Sequence, residues 1–433
     1  MKHWTRLLMR TRLSLDKENM IWNMSGSFFY AFASMVLSFL VLRIAGEEQG
    51  GIFSFGFSTV GQQMFLLAYF GIRPFHITDR TPEYSFGDYL GTRRLTSLLA
   101  VLGSLLFLGV QLGTGQYSLH KALILLLLAL YKIIDGYADV YESELQRQNL
   151  LYRSGQSLAF RTSLSVVTLL GSLVLSGRLL QSVLLADLMQ LFGTWAFAVR
   201  VLRACPKGQL DTRFSWAHAG TLLRSTSLLF FGVFLDFYIF SASKYAIDRQ
   251  MSNADSGFFN ILFMPTSFIY LLANFLIRPM LTRLADQFTT RDTEGFRASV
   301  RVMVRAVMFL SIGILGATLL LGRWGLGIFE LILGASATGR LVPAFPSFLL
   351  IILGGALYAM ANVMYYILVT VREQRRIFLC YLLTTVLAFV SADRMVAARG
   401  MLGGATSYVL LMGGLLVLFS LFVSVTLRKM KNI

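Results

Sequence analysis

The chain has 433 residues, 56% of them hydrophobic and only 14% charged, and its mean hydropathy is +0.65. A water-soluble domain cannot hide so large an apolar fraction, so the composition points to a polytopic membrane protein and excludes a soluble enzyme or binding module. The formal charge of +17 calls for no nucleic acid partner, because anionic lipid heads of the inner leaflet attract basic segments next to membrane spans.

In chain order, a basic arm with Lys2, Arg6, Arg10, Arg12 and Lys17 precedes the first apolar run, which places the N-terminus in the cytoplasm. No signal peptide is evident, since that run continues well past the length of a leader's apolar core. Apolar runs of membrane-crossing length are expected near 20–43, 52–72, 95–114, 121–142, 162–177, 180–202, 225–247, 257–277, 299–321, 343–369, 377–393 and 402–427. Only Ser176, Gly177 and Arg178 separate the fifth from the sixth. An even count of about twelve returns the C-terminus to the cytoplasm, and most of the 39 lysines and arginines then fall on that side.

One pattern recurs about half a chain apart. Gly51-Ile-Phe leads to Phe70-Gly-Ile-Arg-Pro74, and Gly257-Phe-Phe leads to Phe275-Leu-Ile-Arg-Pro279. Each copy ends the second span of its half, so the expected fold is all-α, with two pseudo-symmetric six-helix bundles, 1–214 and 215–433. Six spans per half relate the copies by an axis along the membrane normal. Paired repeats of this kind are characteristic of secondary transporters, with the substrate site between the halves.

Polar faces within the spans mark candidate pathway residues, since ionisable groups at membrane depth are costly against lipid. The first span carries Asn23, Ser27, Tyr30 and Ser34; the second carries Ser54, Ser58, Gln62 and Tyr69 and ends at Arg73. In the fourth, Lys132, Asp135, Asp139, Glu142, Gln146 and Asn149 recur at steps of three and four and share one helical face. Lys132 and Asp135 can pair at i,i+3. The seventh span holds Asp236, Ser243 and Lys244; the eighth holds Asn260, Ser267, Asn274 and Arg278, with Pro265 as a kink. The serines alone serve equally as close-packing residues between helices. Arg73 and Arg278 are either interfacial anchors or guanidinium forks for phosphate oxygens. The substrate-cavity set is therefore Lys132, Asp135, Asp236, Lys244, Arg278, Arg73, Asn23, Gln62 and Asn274, with Asp135 and Asp236 as candidates for ion coupling.

Cys205 and Cys380 fall in a loop and a span, which argues against a disulfide, and the four scattered histidines lack zinc-site spacing. There is no phosphate-binding loop motif and no loop long enough for a catalytic domain. Neither a cofactor nor an enzyme is expected.

The segments Gly71-Ile-Arg-Pro-Phe-His-Ile-Thr-Asp79, Tyr84-Ser-Phe-Gly-Asp-Tyr-Leu-Gly91, Asp135 to Gln146, Ser243-Lys-Tyr-Ala-Ile-Asp248 and Gly257-Phe-Phe259 resemble those of bacterial polysaccharide repeat-unit flippases. These belong to the multidrug/oligosaccharidyl-lipid/polysaccharide exporter superfamily. The resemblance runs over essentially the whole chain and implies a V-shaped pair of lobes in the bacterial inner membrane. The implied cargo is a polyprenyl-pyrophosphate-linked oligosaccharide moved from the inner to the outer leaflet, with a proton or sodium ion as coupling partner. Polysaccharide polymerase and export machinery would act next. Lys132 would neutralise pyrophosphate, and Asp135 or Asp236 would exchange the ion. The first span has no arginine until Arg43, which departs from the early arginines of peptidoglycan-precursor flippases in the same superfamily. An ion-coupled multidrug exporter is the alternative; Asp135 and Asp236 favour it, Lys132 and Lys244 oppose it.

Overall fold

The computed structural model describes residues 14–79, 83–204, 210–334 and 337–429. The basic arm before Ser14, with His3, and Cys205 lie outside the described residues. Those described are almost entirely helical, with no β-strand among them. Their helices are α1 (Leu15–Phe55), α2 (Gly61–Tyr69), α3 (Arg73–Thr78), α4 (Phe86–Gly113), α5 (Leu119–Arg147), α6 (Leu151–Ser176), α7 (Leu179–Gly193), α8 (Arg200–Arg203), α9 (Trp216–Gln250), α10 (Asn253–Thr289), α11 (Thr293–Leu333), α12 (Phe345–Thr370) and α13 (Gln374–Lys429).

Nine helical stretches among the described residues are long and apolar enough to cross a membrane. Two of these are broken. Gly46, at φ 81° and ψ 173°, interrupts α1 with a backbone that disfavours a side chain, and α13 is interrupted at Arg399 and at Gly400, the latter also at positive φ, 56°. At each break the chain turns back closely on itself. A Cβ on Gly50 would lie 2.4 Å from Leu42 Cα, and one on Gly403 would lie 1.9 Å from the Met395 carbonyl oxygen. Taking the halves of each broken helix separately and including the charge-rich α5 gives a set consistent with the twelve expected spans. Side chains such as Leu106, Phe309 and Leu320, 70%, 69% and 80% exposed, suit a hydrocarbon surround.

The two repeat copies diverge where they end. In the first, Phe70 and Gly71 adopt φ of 50° and 67°, α2 stops, and Pro74 opens the short α3. In the second, Leu276 stands in place of the glycine and α10 runs on through both Pro265 and Pro279. The kink expected at Pro265 thus falls within a helix that continues on both sides of it.

By Cα packing the chain divides into two compact units, up to Phe230 and from Phe231 onward, so the division falls inside α9. The connecting segment before α9 belongs to the first unit. It is clasped to the start of α4, where Ser85 and Asp88 form a reciprocal capping box. Ser85 Oγ donates to the Arg213 carbonyl at 2.5 Å, the Ser215 N–H donates to Asp88 Oδ1 at 2.7 Å, and His218 Nδ1 lies 2.8 Å from Asp88 Oδ2. Two glycines make room for the strand of chain. A Cβ on Gly87 would approach the Arg213 carbonyl oxygen to 2.1 Å, and one on Gly91 would approach the Phe214 ring to 2.2 Å.

Candidate functional site

In the first unit the polar stripe of α5 is buried rather than solvated: Lys132, Asp135, Asp139 and Glu142 are all at most 6% exposed. The helix enters this position because the facing chain is thin. A π-helical turn, Gly56–Val60, joins α1 to α2, and it is flanked by glycines. A Cβ on Gly56 would lie 2.5 Å from a Leu128 methyl, and one on Gly61 would lie 2.9 Å from Lys132 Cγ. That closeness sets the Phe57 ring beneath the lysine, with Nζ 4.1 Å from its centroid.

Lys132 and Asp135 do not pair directly. Lys132 Nζ donates to the Tyr30 hydroxyl at 2.9 Å, which in turn donates to Asp135 Oδ2 at 2.7 Å. The other oxygen of Asp135 is taken by Arg161 and by Gln190 Nε2, the latter at 2.8 Å. Arg161 also reaches Glu142 at 3.2 Å, and Ser157 donates to the same carboxylate oxygen at 3.0 Å. Asp139 is held by Arg73 and, at 3.0 Å, by Arg93. Arg93 further donates to the carbonyls of Ala68 and Tyr69 at the end of α2. Every carboxylate of the stripe is therefore engaged, whereas no carboxylate lies within ion-pair distance of Lys132 among the described residues. Matching of this kind offsets the cost of burying the network's carboxylates and guanidinium groups.

Arg73 is thus part of the network rather than a free anchor, and its Nη2 also donates to Gln146 at 2.8 Å. Nearby, outside the span, His76 and Glu144 are in contact at 2.9 Å. Burial pushes the His76 imidazole below its ordinary pKa, against the pull of Glu144. Arg278, the repeat counterpart of Arg73, is exposed on α10 and makes no hydrogen bond or ion pair among the described residues. Asn23 and Gln62 are half-buried, and their side chains likewise make no hydrogen bond among the described residues.

In the second unit Asp236 accepts a hydrogen bond from the Tyr358 hydroxyl at 2.7 Å on Oδ2, while Oδ1 has no partner at hydrogen-bond distance. Asn274 accepts from the Tyr366 hydroxyl at 3.1 Å. Lys244 is 6% exposed, and no hydrogen bond or ion pair reaches its ammonium among the described residues. Its contacts are the rings of Phe263 and Phe240, 4.8 and 5.4 Å from Nζ.

Sequence reasoning missed Arg93, Arg161, Gln190 and Asp187. The last is the most unusual, being 5% exposed with neither carboxylate oxygen hydrogen-bonded. It lies on α7 one turn before Gln190, close enough to Tyr131 for their charges to interact.

No family model matches this sequence, and no curated protein matches it. Solved structures with the same fold do exist. The chain superposes with TM-score 0.72 on a multidrug resistance MATE family transporter of the MOP superfamily in its inward-facing conformation, at 12% identity, covering 95% of this chain and 99% of that one. For the lipid II flippase MurJ in an inward closed conformation the TM-score is 0.69 at 13% identity, covering 93% and 87%. For the eukaryotic MATE transporter AtDTX14 it is 0.64 at 12% identity, covering 96% and 99%.

Proposed function

We propose that this protein is a flippase that carries polyprenyl-pyrophosphate-linked oligosaccharide from the inner to the outer leaflet of a bacterial cell membrane by alternating access. The observation that carries this reading is the pair of buried lysines, Lys132 and Lys244: the first meets the Tyr30 hydroxyl and the Phe57 ring, the second aromatic rings. Such a cation has no carboxylate of the protein at ion-pair distance among the described residues. It suits an anionic cargo group such as pyrophosphate, for which a charge-assisted hydrogen bond would replace the weaker ring contact. The barrier to be removed is the loss of water from the sugar hydroxyls and phosphates, each costing several kcal/mol if unpaired in hydrocarbon. A hydrated cavity and rocking units accomplish that without covalent chemistry.

In this reading the coupling ion, a proton or sodium, engages Asp236 and, in the first unit, Asp187. Asp135 fits that role poorly, because Arg161, Gln190 and Tyr30 already occupy it. Polymerisation and export of the glycan would follow on the far side of the membrane.

The test is the accessibility of lipid-linked repeat unit to an impermeant glycan-modifying reagent, in cells lacking the gene and in complemented cells. Accumulation of protected unit in the deletion supports the reading. Unchanged accessibility with a new sensitivity to cationic drugs would replace it with the multidrug exporter, which the tyrosine-ringed carboxylate Asp236 favours.

A further inference from the structure

The polar residues of the second unit at membrane depth are not all sealed inside it. Asp236, Tyr358, Tyr365 and Tyr366 are half-buried, and Tyr270 is 39% exposed. Several phenols at the surface of a span, above a buried carboxylate, suit a watery pathway better than hydrocarbon.

The patch has a defined construction. The Tyr270 and Tyr358 rings stack at 5.7 Å and 20°. Tyr358 donates to one oxygen of Asp236, and the other lies buried beneath the patch. One turn beyond Tyr270, Asn274 holds the Tyr366 hydroxyl. We propose that this patch docks a sugar ring of the cargo, an inference that rests on the flippase reading above. A pyranose offers an apolar C–H face and a rim of hydroxyl donors. The tyrosine stack presents a flat apolar surface with polar tips whose hydroxyls donate to and accept from those of a sugar. Lys244 lies two turns along α9 from Asp236, about 12 Å by helical rise. Phosphate and sugar are thereby recognised at separate points on one unit.

The probe is the free oligosaccharide released by mild acid from lipid-linked repeat unit of the producing cells, which lacks pyrophosphate. Its binding to the purified full-length protein is followed by saturation-transfer NMR. Saturation of ring protons is expected with the wild type, with binding about ten-fold weaker in Tyr270→Ala, the weight of one good stacking contact. Tyr270→Phe, which keeps the ring and its stack on Tyr358, should retain sugar binding, which separates lost binding from lost fold. Equal sugar binding by wild type, Tyr270→Ala and Asp236→Asn overturns the inference. So does a wild type that ignores the sugar and binds tetraphenylphosphonium through Asp236. A sugar-blind wild type that still exposes lipid-linked unit in cells sinks this site alone, whereas absence of that exposure in complemented cells sinks the flippase reading.

Discussion

Tyr30 and Asp236 stand at equivalent places in the two repeat copies and hold opposite ends of the same bond. The register is the one that matches Gly51 with Gly257 and Gly46 with Ser252, where the second copy also breaks between helices. In the first unit the tyrosine is on α1 and the aspartate, Asp135, on α5; in the second the aspartate is on α9 and the tyrosine, Tyr358, on α12. Both bonds measure 2.7 Å. Tyr30→Phe and Tyr358→Phe should each remove one buried hydrogen bond to a carboxylate, lowering stability by about 1–3 kcal/mol. Thermal melting in detergent measures this, and a melt unchanged in both variants would show the bond to be dispensable.

Lys132→Ala should abolish transport while leaving membrane insertion intact. Removing this cation orphans no carboxylate, because Tyr30 continues to donate to Asp135. Full leaflet exposure of lipid-linked unit by a normally expressed variant would take Lys132 off the pathway.

Arg161→Ala has the opposite character. It strips Asp135 and Glu142 of their shared cation at a site 1% exposed. Breaking a buried pair in this manner costs about 3–5 kcal/mol. The expected result is poor accumulation of folded protein, read by fluorescence-detected size exclusion, and normal yield would contradict the network's structural role.

Asp187→Asn should leave the melting temperature unchanged or raise it, since neither carboxylate oxygen has a partner to lose. If Asp187 exchanges the coupling ion, transport in vesicles will no longer respond to an imposed proton or sodium gradient. A gradient response equal to the wild type's assigns coupling elsewhere.

His76 gives a pH dependence of known sign. Burial lowers its pKa in the folded protein, so between the folded value and the unfolded value of about 6.5 the unfolded chain binds the extra proton. Stability is therefore complete above that window and declines as pH falls through it. Melting curves of wild type and His76→Gln should converge toward acid pH, and parallel curves would remove His76 as the cause.

Much of this architecture can be read from the apolar runs, and the stripe on α5 from its three-and-four spacing. The network's cations cannot. A hydropathy window closes at the first arginine, so expected spans opening at 95 and 162 exclude Arg93 and Arg161, although α4 begins at Phe86 and α6 at Leu151. Each of these arginines, like Asp187, is the lone charge of its helical face, and a periodic signal needs at least two. The matched Arg73 and Arg278 mislead in another way. Identical short motifs diverge because a glycine in one and a leucine in the other decide whether the helix stops.

The clasp on α4 also bears on how the gene can be divided. Asp211 to His218 look like a spacer between two repeats, but their backbone groups complete the capping of α4 and fill the hollows above Gly87 and Gly91. Separately expressed halves cut there would leave the first with an unfinished helix end. A split placed before this segment would strand part of the first unit on the second fragment, and a reporter inserted within it would have to displace a fitted piece of the fold.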